Sequence, residues 1–187
     1  MSTVHVIRHG RPAATWGGED EDPGLDGTGL LQALAVAKEI LALPERPKFV
    51  VSSPLRRCRE TAEPLADALG VEIVIDPRVG EIPTPAALSA AERPEWLRQA
   101  FGGRWDQIVG DLDYVGWTQE VAAALREHAG GAVFSHFVAL NAAVSAATGQ
   151  AEVMAFRPDH CSRTVFKVDG DRLILTEKGR EAQSQVL

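Results

Sequence analysis

The chain has few of the residues that build disulfide frameworks or zinc sites. Its 187 residues include two cysteines, Cys58 and Cys161, which form no Cys-x-x-Cys pair. We therefore expect two free thiols, with neither a disulfide framework nor a zinc site. A cysteine-dependent phosphatase is also excluded, because it needs an Arg six positions after its Cys and those positions hold Pro64 and Lys167. No other spacing of His and carboxylate residues is typical of a metal site.

Positive charge and long apolar runs are also scarce. The formal net charge is -7, which argues against a nucleic-acid-binding surface, since such surfaces need clustered Lys and Arg. No segment approaches 18 consecutive apolar residues, and Met1-Ser2-Thr3 leads into the first apolar run without a basic leader. We therefore expect a cytoplasmic protein that binds neither nucleic acid nor membrane.

The pattern of elements predicts one domain of the α/β class over residues 1–187. Short β-rich runs alternate with segments of helical length and spacing. This alternation predicts a three-layer αβα sandwich with a mostly parallel sheet, and the final hairpin around Asp169-Gly170-Asp171 predicts an antiparallel edge. Strands are expected near 3–8, 49–52, 71–75, 132–135, 164–168 and 172–176, and helices near 26–43, 55–69, 86–100, 118–128 and 137–148.

The first predicted helix has a start signal and an apolar spacing. Asp26 is a suitable N-cap, because a short acidic side chain accepts hydrogen bonds from the free N–H groups of the first turn. Leu30, Leu34, Ala37 and Leu41 recur at helical spacing, which supports a helix in this segment.

Residues 81–116 interrupt the alternation of strands and helices. Prolines, a glycine pair and several aromatic residues are concentrated there, and we expect this segment to form a cap or lid on the sheet, with its helix interrupted before Pro94. Its aromatic residues are expected in the core rather than in contact with a ligand, given the burial tendency of large aromatics. They are Trp96, Phe101, Trp105 and Tyr114, followed directly by Trp117.

Polar residues follow three of the predicted strands at the point where each strand ends. Arg8-His9 follows the first strand, Ser52-Ser53-Pro54-Leu55-Arg56-Arg57 the second and Ser135-His136 the fourth. The carboxyl ends of parallel strands share one rim, so these residues are expected to converge on one anion. Arg is suited to phosphate, and a neutral imidazole can attack phosphorus. Taken alone, Arg8-His9 would also fit a polar strand end at the surface.

The ordered set of these segments resembles the histidine phosphatase superfamily, in its phosphoglycerate mutase-like branch. The resemblance rests on Arg8-His9-Gly10, on the segment Ser53-Pro54-Leu55-x-Arg57-x-x-x-Thr61-Ala62 and on Val133-Phe134-Ser135-His136. Each motif is weak alone, but their order and strand context match over nearly the whole chain. The resemblance implies a phosphoglycerate mutase-like fold.

The resemblance also implies roles for five residues. His9 would be the nucleophile that becomes a phosphohistidine, with Arg8, Arg57 and His136 forming the rest of the phosphate pocket. Glu81 would protonate the leaving oxygen and then activate water, which a raised pKa would suit. His9 must be neutral to attack, whereas His136 is expected as a cationic donor. No cofactor or metal is implied, and the partner would be a small phosphorylated substrate.

Sequence spacing distinguishes Arg57 from the neighbouring Arg residues. Arg57 has the family distance to Thr61-Ala62, whereas Arg56 and Arg59 are expected to face solvent or to pair with carboxylates of the same helix. Those carboxylates are Glu60 and Glu63.

Two positions depart from the family pattern. Residues 13–18 lack the Asn that many relatives carry a few positions after the first His, and Phe137 replaces a common Gly after His136. Arg11 would either supply a phosphate contact or face solvent.

The sequence supports less specific predictions for the other charged residues and histidines. The acidic run 19–22 would be a solvated loop or would repel highly charged substrates, and Asp20 or Glu21 could replace Glu81 as the acid. Structural or surface positions are expected for His5, His128 and His160.

The function implied by this resemblance is a metal-independent phosphomonoester hydrolase, of histidine acid phosphatase type, that acts through a phosphohistidine on His9. Two alternatives stay open, a phosphomutase of the same fold and a non-catalytic domain that binds a phosphorylated ligand. The cap segment offers Arg93, Arg98 and Arg104 as its cations for a second phosphate, which favours hydrolysis. The particular phosphomonoester and the oligomeric state stay open.

Overall fold

The computed structural model of the chain describes residues 1–14 and 19–183. These residues form six strands and five α-helices. The strands are β1 (Ser2–Arg8), β2 (Val50–Ser52), β3 (Ile73–Ile75), β4 (Ala132–Ser135), β5 (Arg163–Asp169) and β6 (Arg172–Glu177), and the helices are α1 (Gly27–Leu41), α2 (Arg56–Leu69), α3 (Arg93–Phe101), α4 (Tyr114–Glu127) and α5 (Phe137–Thr148). Strands and helices alternate except where α3 is followed by α4 and β5 by β6.

The six strands form one mixed sheet in the order β3-β2-β4-β1-β5-β6. The first four strands of this order are parallel to their neighbours, whereas β5 runs antiparallel to β1 and β6 antiparallel to β5. The predicted α/β class is therefore confirmed, with a mostly parallel sheet and an antiparallel edge. Gly170 turns the final hairpin with a φ of 56°, a conformation that suits glycine.

Apolar side chains on the two faces of the sheet form two cores. Along β4, Val133 packs into one core while Ala132 and Phe134 pack into the other, because successive residues of a strand point to opposite faces. Helices α4 and α5 cover the first face, and α1 and α2 cover the second. This arrangement is the predicted three-layer αβα sandwich.

The start of α1 was predicted correctly, and of its apolar row Ala37 is buried and Leu41 partly buried, whereas two leucines are exposed. Asp26 is the N-cap, and its side chain accepts a hydrogen bond of 2.7 Å from the N–H of Gly29. Leu30 and Leu34 are 50% and 57% exposed. The buried residues of the helix are Gly29, Ala33, Val36, Ala37 and Ile40.

The close approach of α1 to the turn after β1 explains which face is buried. A Cβ atom on Gly29 would lie 2.2 Å from the carbonyl oxygen of Arg11. Glycine at position 29 permits this contact, whereas the Cβ of any other residue there would hold the helix away. Both rows have helical spacing, so spacing alone did not separate them.

Three elements begin two or more residues away from the predicted position. Helix α3 begins at Arg93 rather than near 86, with Pro94 in its first turn, where a missing N–H costs no helical hydrogen bond. Helix α4 begins at Tyr114 rather than near 118, since the side chain of Asp113 accepts a hydrogen bond from Val115 N–H. Strand β3 begins at Ile73 rather than at 71.

The aromatic residues of segment 81–117 belong mainly to the core, as predicted. Trp105, Tyr114 and Trp117 are buried, and Trp96 and Phe101 pack against the same core as partly buried side chains. Polar atoms of two buried rings find partners within the protein. Trp105 Nε1 donates to Ser145 Oγ at 2.9 Å, and Tyr114 Oη donates to the carbonyl oxygen of Pro83 at 2.6 Å.

In the described ranges no helix is both long and apolar enough to cross a membrane.

Candidate active site

The carboxyl ends of β1, β2 and β4 lie side by side and bring the predicted polar residues to one rim. Arg8 is in register with Ser135, and Ser52 with Phe134. Two backbone hydrogen bonds continue the ladder past the strands, from His9 N–H to Ser135 O and from Ser53 N–H to Phe134 O, each 3.0 Å. The register therefore holds three chain segments at fixed spacing where side chains leave the sheet.

The tautomer of His9 follows from its hydrogen-bond partners. Nδ1 lies 2.7 Å from the carbonyl oxygen of Gly10, which can only accept, so Nδ1 carries the proton. Nε2 accepts a hydrogen bond of 3.3 Å from Arg57 Nε. Burial, with His136 and Arg8 as additional causes, lowers the pKa of His9 well below its usual value. His9 is therefore an uncharged imidazole whose Nε2 holds a lone pair.

His136 is also uncharged in this arrangement, which corrects the expectation of a cationic donor. Its Nδ1 lies 3.2 Å from Arg57 Nη2 and accepts from it, while Nε2 donates to Ser53 Oγ at 2.8 Å. Burial and the neighbouring Arg57 lower the pKa of His136 well below its usual value. A cationic His136 would place a second positive charge against Arg57 in a buried site.

Arg8 lies in the same site with most of its surface covered. Its Nη1 donates to the carbonyl oxygen of Pro158 at 2.9 Å, and its guanidinium lies 5.2 Å from the centre of the Phe137 ring. Within the described ranges, Arg8 Nε is a buried polar atom without a hydrogen-bond partner. Burial lowers the pKa of Arg8 to about 10. Phe137, one of the departures from the family pattern, thus forms a cation–π contact with a site residue.

Glu81 reaches the site from the loop after β3. One carboxylate oxygen lies 3.7 Å from Nδ1 of His136, and the other accepts a hydrogen bond of 2.9 Å from the N–H of Ile82. Burial raises the pKa of Glu81, partly opposed by Arg57. Ser135 Oγ donates to the carbonyl oxygen of Val79 at 2.7 Å and so fastens this loop to the end of β4.

The other Arg residues considered from the sequence have different partners. Arg11 is exposed, and its Nε lies 2.5 Å from a carboxylate oxygen of Asp26. Arg56 pairs with Glu60 at 2.7 Å, one turn along α2, as predicted. Arg59 is exposed. Spacing therefore selected the one Arg of this segment that enters the site.

The acidic run contributes to helix capping. Asp22 accepts a hydrogen bond of 2.8 Å from the N–H of Arg56, the first residue of α2. Asp20 accepts one of 3.1 Å from the N–H of Asp22. Part of the segment without an Asn, residues 15–18, lies outside the described residues.

Three residues near the site were not assigned a role from the sequence. Ser53 accepts from His136, and Thr61 Oγ1 accepts a hydrogen bond of 3.0 Å from the N–H of Gly10. Both lie within the motif that carried the resemblance, so their positions were available as a signal. His160 was expected at a structural or surface position, but its ring centre lies 5.9 Å from that of His9. No motif marks it.

The two cysteines lie close to the site but are poor nucleophiles. Cys58 Sγ donates to the carbonyl oxygen of Ser135 at 3.3 Å. Burial raises the pKa of Cys58, and it raises that of Cys161 to about 12. Both residues are buried free thiols, as predicted.

Comparisons with known proteins agree with this arrangement. The family model for the histidine phosphatase superfamily (branch 1) matches residues 4–180. The 55 kDa subunit of transcription factor tau from Saccharomyces cerevisiae is 30% identical over 132 residues, covering 58% of this chain and 29% of that protein. A probable phosphoglycerate mutase, GpmB, from Escherichia fergusonii is 34% identical over 117 residues, covering 57% of this chain and 53% of that protein. The matches thus span about a third and about half of these two curated relatives.

A solved structure extends the comparison to the whole fold. Phosphoserine phosphatase from Entamoeba histolytica, in complex with 3-phosphoglyceric acid, superposes with a TM-score of 0.76 at 21% identity, covering 98% of each chain. At this identity the likeness shows a shared fold.

Proposed function

The chain belongs to the histidine phosphatase superfamily, and from this premise we propose that it hydrolyses small phosphomonoesters through a phosphohistidine formed on His9. The observation that carries the proposal is the state of His9. Its Nδ1–H donates to the carbonyl oxygen of Gly10, and its Nε2 lone pair accepts a hydrogen bond from Arg57 Nε. An imidazole with this tautomer is ready to attack phosphorus at neutral pH without first losing a proton.

The first step would transfer the phosphoryl group from the ester to His9. Nε2 forms a bond to phosphorus while the bond from phosphorus to the ester oxygen breaks. The imidazole becomes positively charged as it is phosphorylated, and the hydrogen bond from Nδ1 to the carbonyl oxygen of Gly10 stabilises that charge. A neutral starting state therefore suits this role.

The negative charge of the transferring group would be balanced by Arg57 and Arg8. Arg57 already contacts the attacking nitrogen, and Arg8 has a buried Nε without a partner among the described residues. Fixed cations aimed at the phosphoryl oxygens lower the barrier to phosphoryl transfer. His136 supplies an additional ring nitrogen beside the two guanidinium groups.

Glu81 is the proposed general acid and base. Burial favours its protonated form, so it can give a proton to the leaving oxygen. In the second step the carboxylate accepts a proton from water, which attacks phosphorus as the bond to His9 breaks. Phosphate is released, and Glu81 returns to its starting state.

Ion pairs within segment 81–116 favour hydrolysis over a mutase reaction. A mutase must hold a second anionic group while the phosphoryl group returns to the substrate. Arg98 pairs with Glu95, and Arg104 pairs with Asp106 at 3.3 Å. Two of the three cations that the segment offers are thus already balanced by carboxylates. The mutase alternative is supported by the similarity to the Escherichia fergusonii protein, which is described as a probable phosphoglycerate mutase.

The decisive experiment compares wild type with His9→Ala in hydrolysis of para-nitrophenyl phosphate with EDTA present. We expect wild-type turnover that the chelator leaves unchanged, and a loss on the order of 10⁴-fold or more in the variant. His5→Ala is the matched control, because His5 lies in the middle of the same strand, before the strand end that carries the site, and should leave turnover unchanged.

The possible outcomes distinguish the three functions considered for this chain, which are hydrolase, mutase and non-catalytic binding domain. Equal activity of wild type and His9→Ala would rule out His9 as nucleophile. Phosphate transfer from one phosphoglycerate position to another, faster than release of phosphate, would favour a mutase. Binding of inorganic phosphate without turnover of any phosphomonoester would favour the non-catalytic domain. An acid-labile phosphate label on His9 in wild type would support the proposal directly.

A further inference from the structure

The loop that carries His160 is fastened to the site by backbone contacts. Cys161 N–H donates to the carbonyl oxygen of Arg8 at 3.0 Å, and Arg8 N–H donates to that of Ser162 at 3.3 Å. Arg8 Nη1 binds the carbonyl oxygen of Pro158. Three positions of the loop thus hold the residue that precedes His9.

The loop has a strained backbone conformation and is also held by a contact from outside the site. Cys161 has a φ of 54°, the left-handed region, which a non-glycine residue enters at an energetic cost and which is concentrated at functional sites. Arg180 donates to the carboxylate of Asp159 at 3.1 Å and to the carbonyl oxygen of His160 at 3.2 Å. The chain after β6 therefore holds the backbone of His160 in place.

The ring of His160 lies beside that of His9, with 5.9 Å between the two ring centres. His9 and His136 are buried, whereas His160 is half-buried and so borders both the site and solvent. A phosphomonoester whose phosphorus reaches Nε2 of His9 extends its organic part toward solvent. A partly exposed side chain beside His9 is therefore in a position to meet that organic part.

We propose that His160 is a specificity-determining residue that contacts the organic part of the phosphomonoester, while Arg8, Arg57 and His136 hold the phosphoryl group. The inference rests on the proposed function for its substrate class. An uncharged imidazole offers one donor, one acceptor and a flat apolar face. It therefore suits a hydroxyl or carboxylate beside the ester, or a ring stacked on it.

The charge state of His160 agrees with this division of roles. Burial, together with Arg8, lowers the pKa of His160 to about 4. The ring is thus uncharged from weakly acidic to alkaline pH and adds no charge to the binding of the phosphoryl group. Its removal should change recognition of esters without changing recognition of inorganic phosphate.

The test measures two binding properties in wild type, His160→Ala and His160→Gln. One is the KM for O-phosphoserine and for para-nitrophenyl phosphate, and the other is the inhibition constant of inorganic phosphate, which fills the phosphoryl pocket alone. In His160→Ala we expect KM to rise about fivefold for O-phosphoserine, as for one lost hydrogen bond. The kcat and the inhibition constant of phosphate should stay within about twofold. His160→Gln, which keeps hydrogen-bonding groups, should recover part of the loss.

Two controls make the result specific. Arg180→Ala loosens the loop and leaves the imidazole in place, so an equal change in that variant would mean that His160→Ala acts through loop order, and would contradict a direct contact. Equal changes in KM and in the phosphate inhibition constant would show that His160 only positions His9. Unchanged values for both esters would also overturn the proposal.

A failure of the proposed function would be recognised separately. If wild type turns over no ester, calorimetric binding of O-phosphoserine and inorganic phosphate to the same variants replaces the kinetic comparison. Weaker binding of O-phosphoserine alone in His160→Ala would then still support the contact. Unchanged binding of both ligands would contradict it.

Discussion

Arg57 connects the two histidines of the site by donating to one ring nitrogen of each. Because a guanidinium cannot accept a hydrogen bond, it dictates that Nε2 of His9 and Nδ1 of His136 are both unprotonated. Arg57 therefore sets the protonation state of the proposed nucleophile, in addition to its proposed role of providing charge for the phosphoryl group. Substitution by Lys would keep a charge but lose the planar fork that reaches both rings.

Glu81→Gln tests the acid at the residue scale. The variant keeps the shape of the side chain but has no proton to give, so turnover of alkyl phosphates such as O-phosphoserine should fall by about 10²–10⁴-fold. Para-nitrophenolate is a good leaving group, so the first step with para-nitrophenyl phosphate should be affected much less. Single-turnover kinetics with both substrates measure this step.

The pH dependence of the same reaction supplies a second test of Glu81 as the general acid. The raised pKa extends the protonated form above the usual range of a carboxylic acid. With alkyl phosphates the first step should therefore fall as pH rises through that pKa, and the fall should be absent in Glu81→Gln. A similar alkaline fall in both proteins would remove Glu81 from the proposed role.

At the scale of elements, the turn after β1 and the first turn of α1 support each other. Arg11 N–H donates to Gln32 Oε1 at 2.9 Å, and Asp26 N–H donates to the carbonyl oxygen of Arg11 at 3.1 Å. Gly29 lies against the same carbonyl group. The helix thus holds the backbone that follows His9, and its glycine is required by the close approach.

Gly29→Ala should disturb both stability and the site. Its Cβ would lie 2.2 Å from the Arg11 carbonyl oxygen, so the turn or the helix must shift, at a cost of about 1–3 kcal/mol in the free energy of unfolding. We also expect a lower kcat/KM for para-nitrophenyl phosphate. Gly27→Ala is the matched control, since its Cβ meets nothing within 4 Å, and it should stabilise α1 by up to about 1 kcal/mol. Equal melting temperatures for the two variants would contradict this account.

At the scale of the whole molecule, a charged cluster joins the end of β3 to the end of α4. Asp76 accepts from Arg78 Nη2 at 2.8 Å and lies 2.7 Å from His128 Nε2, while Arg78 also reaches Glu127 at 2.7 Å. Burial opposes the charge of Asp76, but hydrogen bonds from Arg78 and His128 outweigh it and lower the pKa to about 2. The cluster holds the segment that leads to Glu81.

The acid stability of the protein should report on this cluster. The pKa of Asp76 is lower in the folded chain than in the unfolded one, so its contribution is complete above about pH 4 and is lost as pH falls toward 2. Asp76→Asn should reduce the free energy of unfolding by about 2 kcal/mol at neutral pH, with a smaller difference in acid. Urea unfolding at a series of pH values measures both effects.

Asp106→Asn is the control for that series. Asp106 also pairs with an Arg, but the side chains of the pair are 59% and 48% exposed. Exposed pairs contribute little to stability, so this variant should unfold as wild type does. A difference between wild type and Asp76→Asn that stays constant from neutral pH to pH 2 would contradict a charge-based origin.

The amino-acid sequence by itself determined the layers of the fold and the rim of the site. Alternating β and α patterns indicated the three-layer sandwich, because each pattern buries its own apolar face. Arg8, His9, Arg57 and His136 were identified because polar residues directly after parallel strands share one edge, and because the order of the motifs resembles one family. The placement of Glu81 beside these residues was predicted from its loop position in that family.

Tertiary structure alone decided features that depend on contacts between distant segments. The buried face of α1 follows from the approach of Gly29 to Arg11, which no helical spacing reveals. The uncharged state of His136 follows from its burial against Arg57. His160 reaches His9 because a left-handed residue and Arg180 fix its loop. These features arise from burial and close packing, which bring together residues that are far apart in the chain.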